Sequence, residues 1–571
     1  MKITLSEFKG IAPKFDPIQL NDGYAVTSVN TRSGRDILES WQMPKAAAGG
    51  GLHNDKVKSL FKYNTKWFSW DKENVSAVRV PLANDPWDYV VIADPDTYPQ
   101  MTFNTIAESG VAPFPNVTHR LGVYTPDAPT IEGSGTHDAP SDGTEESEFD
   151  AYETNYIVVF VDAFGRASAP SSASDSVVFK EYEGERVWYV DLKMPDVPLH
   201  GIASDAGRGT VAKWYVYRGN FNGAGSGLYQ FAGTVDNNVD NPVFKDTVPS
   251  MLLDESPTTY DWTPPPDDDV ATFPNGALRK VVSIGDFLAG HNDRLVCFSE
   301  PAAFHAWPTA YYQVFSEQVV TIMVSGANLV VLTDSHPYVL SGAAPSAMSP
   351  TKLAEPVACV SQAGVTEVFD RVYFVSTNGL FEIEGYLTRN VSRDYMTEKQ
   401  WAALDPSTMT LSHYEGFVFI HSPSAQKTYV FDPANPTDGL REVDLNPQAT
   451  CQLTDSADLA FVEQGGTEVM LFDADLDRSY PIEWHSKEYT FNTPICFSVA
   501  KVRANAYPVN VTVKCEKLDG TEDSYTKTVQ SADFFYLPFQ NRSKRWWVEV
   551  HASASVEIQD IQVGQTAQEF I

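Results

Sequence analysis

The chain has 571 residues, of which 43% are hydrophobic and 12% aromatic, and its formal net charge is −34. A chain of this length exceeds a single hydrophobic core, so several domains of about 150 residues each are expected. The composition excludes wholesale disorder, and the acidity disfavours an outer surface that grips nucleic acid through clustered Lys and Arg. A negative surface is compatible with a wall past which DNA slides and equally with an ordinary solvated face.

The chain begins with a segment that shows little sign of a core of its own. Residues 1–55 are punctuated by Gly and Pro and include an Ala/Gly-rich run at 46–51, which predicts an extended N-terminal arm. Residues 56–118 then carry the apolar runs KSLFKYNTKWFSW, VSAVRVPL and DYVVIAD, with alternating β-branched and aromatic residues. These runs predict one four-stranded sheet, interpreted as the first blade of a β-propeller.

Residues 119–262 have a different pattern, typical of a β-sandwich. They open with Pro-rich and acidic loop segments and continue with short strands around Tyr156, Val187, Tyr215 and Tyr229. The alternating strand at 156–161 is followed by a Gly turn and a Ser/Pro-rich bend, a phrase similar to fibronectin type III domains. The segment is therefore predicted to be an inserted fibronectin type III-like sandwich.

Strands resume after the break TPPPDDD in residues 263–485, in units of about 35 to 45 residues, which is the repeat length of propeller blades. Four or five blades fit there, about six in total with the first. One helix is predicted at Thr397–Asp405 from its capping-box start. Residues 486–571 predict a C-terminal β-sandwich, so the expected fold is all-β: a propeller core with an inserted and a terminal sandwich.

No residue pattern predicts catalysis, a cofactor or a metal site. Asp473, Asp475 and Asp477 resemble a calcium loop but lack its Gly and its terminal Glu, so a solvated turn is favoured. The Gly-rich run 219–227 leads into a strand instead of a helix and is interpreted as a hairpin loop. No GxSxG motif is present, and paired carboxylates are too common in so acidic a chain to indicate glycoside chemistry.

The histidines and cysteines also favour structural roles. Five histidines lie near strand ends without ligand spacing and are interpreted as partly exposed or hydrogen-bonded side chains: His291, His305, His336, His413 and His421. The five cysteines are widely spaced in apolar runs and predict buried free thiols: Cys297, Cys359, Cys451, Cys496 and Cys515. The N-terminus lacks the apolar region of a signal peptide, and no apolar run approaches the length of a membrane helix, so synthesis and folding in the cytosol are expected.

One basic and aromatic cluster lies at Arg542–Val550, with the sequence RSKRWWVEV. In an alternating strand Trp546 and Trp547 point to opposite faces, which predicts one core residue and one residue available for an interface. Stacking on nucleic acid or sugar is the alternative.

The opening phrase FKGIAPKFDPIQLNDGYAVTSVNTRSG resembles the start of many phage and prophage tail proteins. The matching residues are Phe8, Gly10, Pro13, Asp16, Pro17, Leu20, Ala25, Asn30, Ser33 and Gly34. Further matching phrases lie at 294–308, 339–365 and 484–491. The order of parts is similar to that of nozzle proteins of short-tailed phages, the tail tubular protein B family.

The resemblance implies a virion structural protein and not an enzyme. It implies a homohexameric ring attached below the tail adaptor protein, made in the host bacterial cytoplasm, that surrounds a channel for DNA passage without specific binding and docks tail fibres. Membrane insertion is not expected. Two alternatives stay open: a tail propeller that binds or cleaves host glycans, and a monomeric tail-tip protein without a channel.

Overall fold

The computed structural model describes residues 1–32, 36–49, 52, 54–136, 148–197, 211–219, 228–238, 240–552 and 555–570. The chain is nearly all β, with 48% strand and 5% helix, which confirms the predicted class. Two α-helices lie in the described residues, α1 (Asn104–Ala107) and α2 (Glu398–Ala402). The capping box predicted for the second is present, with Thr397 and Gln400 bonded reciprocally. Trp401 of this helix is buried in the core, and its Nε1 donates to the Ser376 carbonyl.

The strands are numbered in chain order. Those of residues 1–136 are β1 (Lys2–Leu5), β2 (Ala25–Val29), β3 (Gln42–Ala46), β4 (Ser59–Tyr63), β5 (Lys66–Trp70), β6 (Ser76–Arg79), β7 (Val90–Ala93), β8 (Gln100–Thr102), β9 (His119–Arg120) and β10 (Thr130–Thr136). Those of residues 150–246 are β11 (Asp150–Thr154), β12 (Tyr156–Asp162), β13 (Val177–Tyr182), β14 (Glu185–Arg186), β15 (Trp188–Lys193), β16 (Val211–Gly219), β17 (Tyr229–Asp236) and β18 (Val243–Asp246).

The second half of the chain continues the series. Residues 280–390 hold β19 (Lys280–Ile284), β20 (Phe287–Asn292), β21 (Leu295–Phe298), β22 (Gln313–Val314), β23 (Val319–Ser325), β24 (Asn328–Thr333), β25 (Tyr338–Ser341), β26 (Ser349–Lys352), β27 (Val365–Val368), β28 (Arg371–Ser376), β29 (Gly379–Glu384) and β30 (Leu387–Asn390). Residues 410–486 hold β31 (Thr410–Tyr414), β32 (Phe417–Ser422), β33 (Lys427–Phe431), β34 (Leu440–Val443), β35 (Pro447–Gln452), β36 (Leu459–Glu463), β37 (Val469–Ser479) and β38 (Ile482–Ser486). Residues 489–564 hold β39 (Tyr489–Ile495), β40 (Val499–Ala504), β41 (Val509–Glu516), β42 (Glu522–Val529), β43 (Phe535–Tyr536), β44 (Ser543–Ala552) and β45 (Ile558–Gly564).

A ring of small antiparallel sheets forms the largest body. Among the described residues its four-stranded sets are β6–β9, β19–β22, β23–β26, β27–β30, β31–β34, and β35–β37 completed by β3. The first strands of successive sets lie side by side. The hairpin β4–β5 fills the remaining place: Trp67 packs beside Ala460 of the last set, and Phe68 packs beside Val90 of the first. The arrangement of these sheets is propeller-like.

The first unit differs from its prediction. Residues 56–118 were expected to form one four-stranded sheet, but they supply the separate hairpin β4–β5 and most of the set β6–β9. The physical reason is the tight turn at Asn64, which has a positive φ of 47° and pairs β4 with β5 alone. Residues 263–485 contribute five sets, at the upper end of the predicted number, and the last of these borrows β3 from the N-terminal segment.

The N-terminal segment lies within the sheets of the molecule, whereas residues 1–55 were predicted to form an arm. β1 pairs with β45, β2 pairs with β34 and β38, and β3 pairs with β37. Its apolar residues are buried, including Phe8, Leu20 and Trp41. The segment therefore joins the ring to the C-terminal part of the chain.

The inserted part, between β9 and β19, contains three three-stranded sheets around one core. The Ser/Pro-rich bend that follows β12 runs along the edge of that strand and is hydrogen-bonded to it. The hydroxyls of Ser168, Ser171 and Ser174 accept from the backbone N–H groups of alternate residues of β12, each at 3.0 Å. The backbone N–H groups of the same serines donate to β12 carbonyls. This segment satisfies the edge of β12 that β16 leaves open, which limits pairing with other chains.

The C-terminal part packs two sheets face to face. One is β1–β45–β40–β43, and the other contains β2, β38, β44, β41 and β42 and is continuous with the ring set β31–β34. Trp484, Trp546 and Val550 from the second sheet and Ile561 from the first are buried in the shared core. Part of the ring and the C-terminal part thus share a sheet and a hydrophobic core.

The contact between the N-terminal segment and β34 predicts that Gly10 cannot be replaced by a residue with a side chain without loss of stability. A Cβ atom there would overlap the carbonyl oxygen of Leu440, which is fixed by pairing of the two segments. We expect Gly10→Ala to lower the free energy of unfolding by about 2 kcal/mol, the cost of overpacking a rigid contact. Gly133→Ala is the matched control because no atom lies within 4 Å of its added Cβ. Equal thermal unfolding of the two variants would contradict this account of the contact.

Candidate functional site

A large cleft with aromatic walls lies between the inserted part and the ring. It has a volume of about 640 Å³ and is lined by the β6–β7 loop, the turn after β12, strand β16, the segment before β19 and the loop after β21. Aromatic side chains dominate its walls: Trp87, Tyr89, Phe164, Tyr215, Tyr217, Trp262 and Phe304. A cleft of this size with apolar walls and few polar groups is typical of a binding site for a small molecule or a glycan.

The aromatic wall is held by edge-to-face packing. Trp87 lies 5.3 Å from Phe103, at an interplanar angle of 84°, and is 44% exposed to solvent. The carboxylate of Asp85 accepts from the backbone N–H groups of Trp87 and Tyr89 and so sets the loop conformation. Asp85 is the one carboxylate among the described lining residues. The cleft therefore offers stacking surfaces without a pair of carboxylates.

The opposite wall is fixed by buried polar groups. Arg166 pairs with Asp162 at 2.7 Å and donates to the Leu121 carbonyl at 2.6 Å, which ties the turn after β12 to the ring side of the junction. The Nε2 atom of His305 lies 3.1 Å from the Ala167 carbonyl, and the ring packs edge-on against Trp262 at 5.4 Å. The cleft is therefore bounded by two parts of the chain whose contacts hold them together.

The ring has a second, much smaller cavity on its axis. It has a volume of about 190 Å³ and is lined by residues from the first strands of several sets, including Ser59, Ser76, Lys280 and Thr410. One liquid water occupies about 30 Å³, so the cavity has room for a few waters and not for nucleic acid. Lys280 donates to the Thr321 hydroxyl at 3.1 Å, and burial lowers the pKa of its ammonium group to about 8.

The three aspartates of the calcium-like run do not converge. Asp473 is buried and accepts from the backbone N–H of Gln42 while pairing with Arg32. Asp475 pairs with Arg478 instead. All three lie within strand β37, so the run is a strand and not the predicted turn.

The five histidines that sequence analysis singled out lie in separate places. His305, His336, His413 and His421 have hydrogen-bonding partners, whereas both ring nitrogens of the fully buried His291 have none among the described residues. Burial lowers the pKa of His291 and His305 to about 3 and that of His421 to about 4. These imidazoles are neutral parts of the interior, so the expectation of partly exposed or hydrogen-bonded side chains fails for His291.

The cysteines and the tryptophan pair largely agree with their predictions. All five cysteines are free; Cys297, Cys359 and Cys515 are buried, and Cys451 and Cys496 are half-buried. Trp546 is buried in the C-terminal core and Trp547 is half-buried on the opposite face of β44.

Two sets of residues named in the sequence analysis lie outside the described residues. They are Ser33 and Gly34 of the opening phrase, and all of the Gly-rich run 219–227 except Gly219. Among the described residues no helix has the length and hydropathy needed to span a membrane.

Sequence analysis missed a cluster of three metal-ligating side chains, His485, Glu549 and His551. The available signal was the alternation Glu-x-His in VEVHA, which places Glu549 and His551 on the same face of one strand. The third member, His485, is distant in sequence and joins them through strand pairing.

Comparisons with known proteins bear on the fold alone. No family model matches the chain, and no curated protein matches it. Solved structures to which it is similar include a catalytically inactive virginiamycin B lyase from Staphylococcus aureus with quinupristin, with 9% identity and a TM-score of 0.25 over 57% of this chain and 99% of that one. Another is PorZ, a surface component of the type-IX secretion system of Porphyromonas gingivalis, with 10% identity and a TM-score of 0.27 over 57% of this chain and 42% of that one. A third is the AfRom2 CNH domain, with 10% identity and a TM-score of 0.23 over 75% of this chain and 98% of that one.

The burial of His305 predicts a pH dependence of the cleft wall. Its pKa is about 3 in the folded chain, against about 6.5 when unfolded, so only the unfolded chain takes up a proton between these values. The stabilisation by neutral His305 is complete above pH 6.5 and falls with decreasing pH. We expect it to decrease by about 1.4 kcal/mol at about pH 5.5.

The test compares urea unfolding of the wild-type protein with that of His305→Gln between about pH 8 and 5.5, above the pI of about 4.6. The glutamine keeps a donor for the Ala167 carbonyl but does not titrate. The difference between the two proteins at pH 8 measures packing, and only its change with pH reports the histidine. Parallel pH profiles would contradict the assignment.

Proposed function

We propose that the chain is a virion structural protein of a phage tail, a nozzle-type ring subunit with a β-propeller core, an inserted fibronectin type III-like sandwich and a C-terminal β-sandwich. The observation that carries the proposal is the place of the residues through which the chain resembles tail proteins. The described residues of the opening phrase that carry the resemblance lie at the junction of the ring with the C-terminal part, and none of them lines the aromatic cleft or the axial cavity. The resemblance therefore concerns residues that hold the parts of the fold together, which supports a structural role.

The junction explains why these residue types are needed. Phe8 packs edge-on against Trp484 at 5.1 Å, and Gly10 allows the chain to lie directly on Leu440. Asn30 adopts a positive φ of 59°, which asparagine tolerates better than most residues, and its amide donates to Asp444 at 2.7 Å. Ala25 is buried where β2 enters the large sheet. Each residue supports the insertion of the N-terminal segment between strands β34 and β38.

The geometry supports a rigid structural role in a ring. The axial cavity is too small for nucleic acid, so passage of DNA requires a channel surrounded by several copies, as in the homohexamer that the resemblance implies. The net charge of −34 provides repulsion of a phosphate backbone, which limits specific binding during passage. The tail adaptor protein, tail fibres and other copies of the chain are the proposed partners, in a virion assembled in the host cytoplasm.

Assembly tests the proposal. Purified chain, alone and mixed with the adaptor protein of the same phage, is imaged by negative-stain microscopy over a range of concentrations. Six-fold rings with a central opening are expected, because the resemblance implies a homohexamer and the axial cavity of the described part of one chain is too small for DNA. Isolated particles under every condition, from protein that unfolds cooperatively, would overturn the nozzle proposal and leave the monomeric tail-tip alternative.

The aromatic cleft favours a second candidate function, recognition of a host glycan. The partly exposed ring of Trp87 provides an apolar platform for the C–H face of a sugar, and nearby hydroxyl groups provide hydrogen bonds. With Asp85 as its one carboxylate, already engaged with backbone N–H groups, the described part of the cleft fits binding better than cleavage.

Host polysaccharide binding distinguishes this function. We expect Trp87→Ala to weaken binding about tenfold, since it removes an exposed aromatic contact in the cleft. Tyr536→Ala is the matched control, because Tyr536 is an exposed aromatic residue of the C-terminal part. Binding is measured by isothermal titration calorimetry with polysaccharide from the host. Equal affinity of both variants, or no binding by the wild-type protein, would exclude glycan recognition at this cleft.

A further inference from the structure

The cluster of His485, Glu549 and His551 lies on the face of the C-terminal sheet that points away from the core. On β38 and β44, Trp484, Val548 and Val550 are buried in the core. Side chains alternate along a strand, so the intervening residues share the opposite face. This face lies outside both the aromatic cleft and the axial cavity.

Strand pairing brings the three side chains together. In the register of β38 with β44, His485 lies directly opposite Glu549, and Glu483 lies directly opposite His551. The potential ligand atoms of His485, Glu549 and His551 all lie within 4.8 Å of one another. The two imidazole rings are 5.6 Å apart between centroids, at 73° to each other. Two pairs of neighbours on one sheet thus place two imidazoles and a carboxylate around one point.

This donor set matches a divalent transition metal. Zinc binds imidazole nitrogen and carboxylate oxygen at about 2.0 to 2.2 Å, so its tetrahedral ligand atoms lie about 3.3 Å apart. The present separations are at most 4.8 Å, and His551 is exposed, so its ring has room to turn toward an ion. Calcium and magnesium prefer oxygen ligands and fit two imidazoles poorly.

The surroundings provide further support for a ligand at this point. Nε2 of His485 lies 3.2 Å from Oε1 of Glu483, so this nitrogen faces that carboxylate and Nδ1 is the nitrogen left to bind a metal. A carboxylate beside a ligating histidine orients the ring and strengthens its bond to the metal. Lys514 contacts Oε1 of Glu549 at 2.7 Å, and Trp547 donates to the same oxygen at 3.4 Å. The second carboxylate oxygen has no such contact with a described residue and is available as a ligand.

We propose that His485, Glu549 and His551 bind one divalent transition-metal ion, with zinc the best match to the donor set. Three protein ligands leave the fourth tetrahedral position to a water molecule or to a group from outside the chain. Glu483 is a positioning residue that acts through His485. The site requires neither the nozzle function nor glycan binding, because it belongs to the fold of the single chain.

The test uses the full chain without a histidine tag, under reducing conditions after treatment with a chelator. Zinc chloride is titrated calorimetrically, and cobalt chloride is used as a spectroscopic probe whose d–d absorption reports the coordination number. We expect one ion per chain and a four-coordinate cobalt spectrum. His551→Ala and Glu549→Gln are expected to abolish both signals, and Glu483→Gln to weaken zinc binding about tenfold.

His336→Ala is the matched control, because His336 lies on the ring away from this face and its loss should leave zinc binding unchanged. Thermal unfolding in the presence of chelator checks that each variant is folded, and exposed His551 is the residue whose loss should affect the fold least. Retention of wild-type zinc affinity by His551→Ala and Glu549→Gln would overturn the proposal. So would the absence of stoichiometric binding to the wild-type protein.

Discussion

The structure depends on one long-range contact, the insertion of the N-terminal segment between strands β34 and β38. Arg441 lies buried at its centre and donates to the Phe8 carbonyl at 2.8 Å, the Asp438 carboxylate at 2.6 Å and the Thr31 hydroxyl at 3.2 Å. A buried guanidinium without these partners would be strongly destabilising. The segment then continues to β3 and completes the last ring sheet. Ring closure and formation of the C-terminal part are therefore coupled through the same residues.

The inserted part has its own buried ion cluster and is attached to the ring by polar contacts. In its core, burial opposes ionisation of Asp246, but Arg218 and Arg186 outweigh this and lower its pKa. At the junction, Arg120 pairs with Asp267 and Arg166 donates to the Leu121 carbonyl. These contacts connect the segments that enter and leave the insert. The aromatic cleft owes its shape to this attachment, because its walls come from both parts.

The axial cavity, the aromatic cleft and the His/Glu cluster differ in physical character. The axial cavity is narrow and is lined in part by the half-buried Lys280, so it suits water. The cleft combines open aromatic faces with few charged groups, which suits a glycan. The His/Glu cluster is small, polar and formed by strand pairing, which suits a metal ion. These places lie on different parts of the fold.

The sequence by itself determined the local features: the alternating strands, the capped helix at Thr397, the free cysteines and the division of Trp546 and Trp547 between two faces. These follow from propensity, periodicity and turn chemistry within a few neighbouring residues. Only the tertiary structure decided that the first 46 residues join three different sheets and that β4–β5 stands alone between two others. It alone brought His485 opposite Glu549. Strand partners far apart in sequence are selected by packing of whole sheets, and no local pattern encodes that choice.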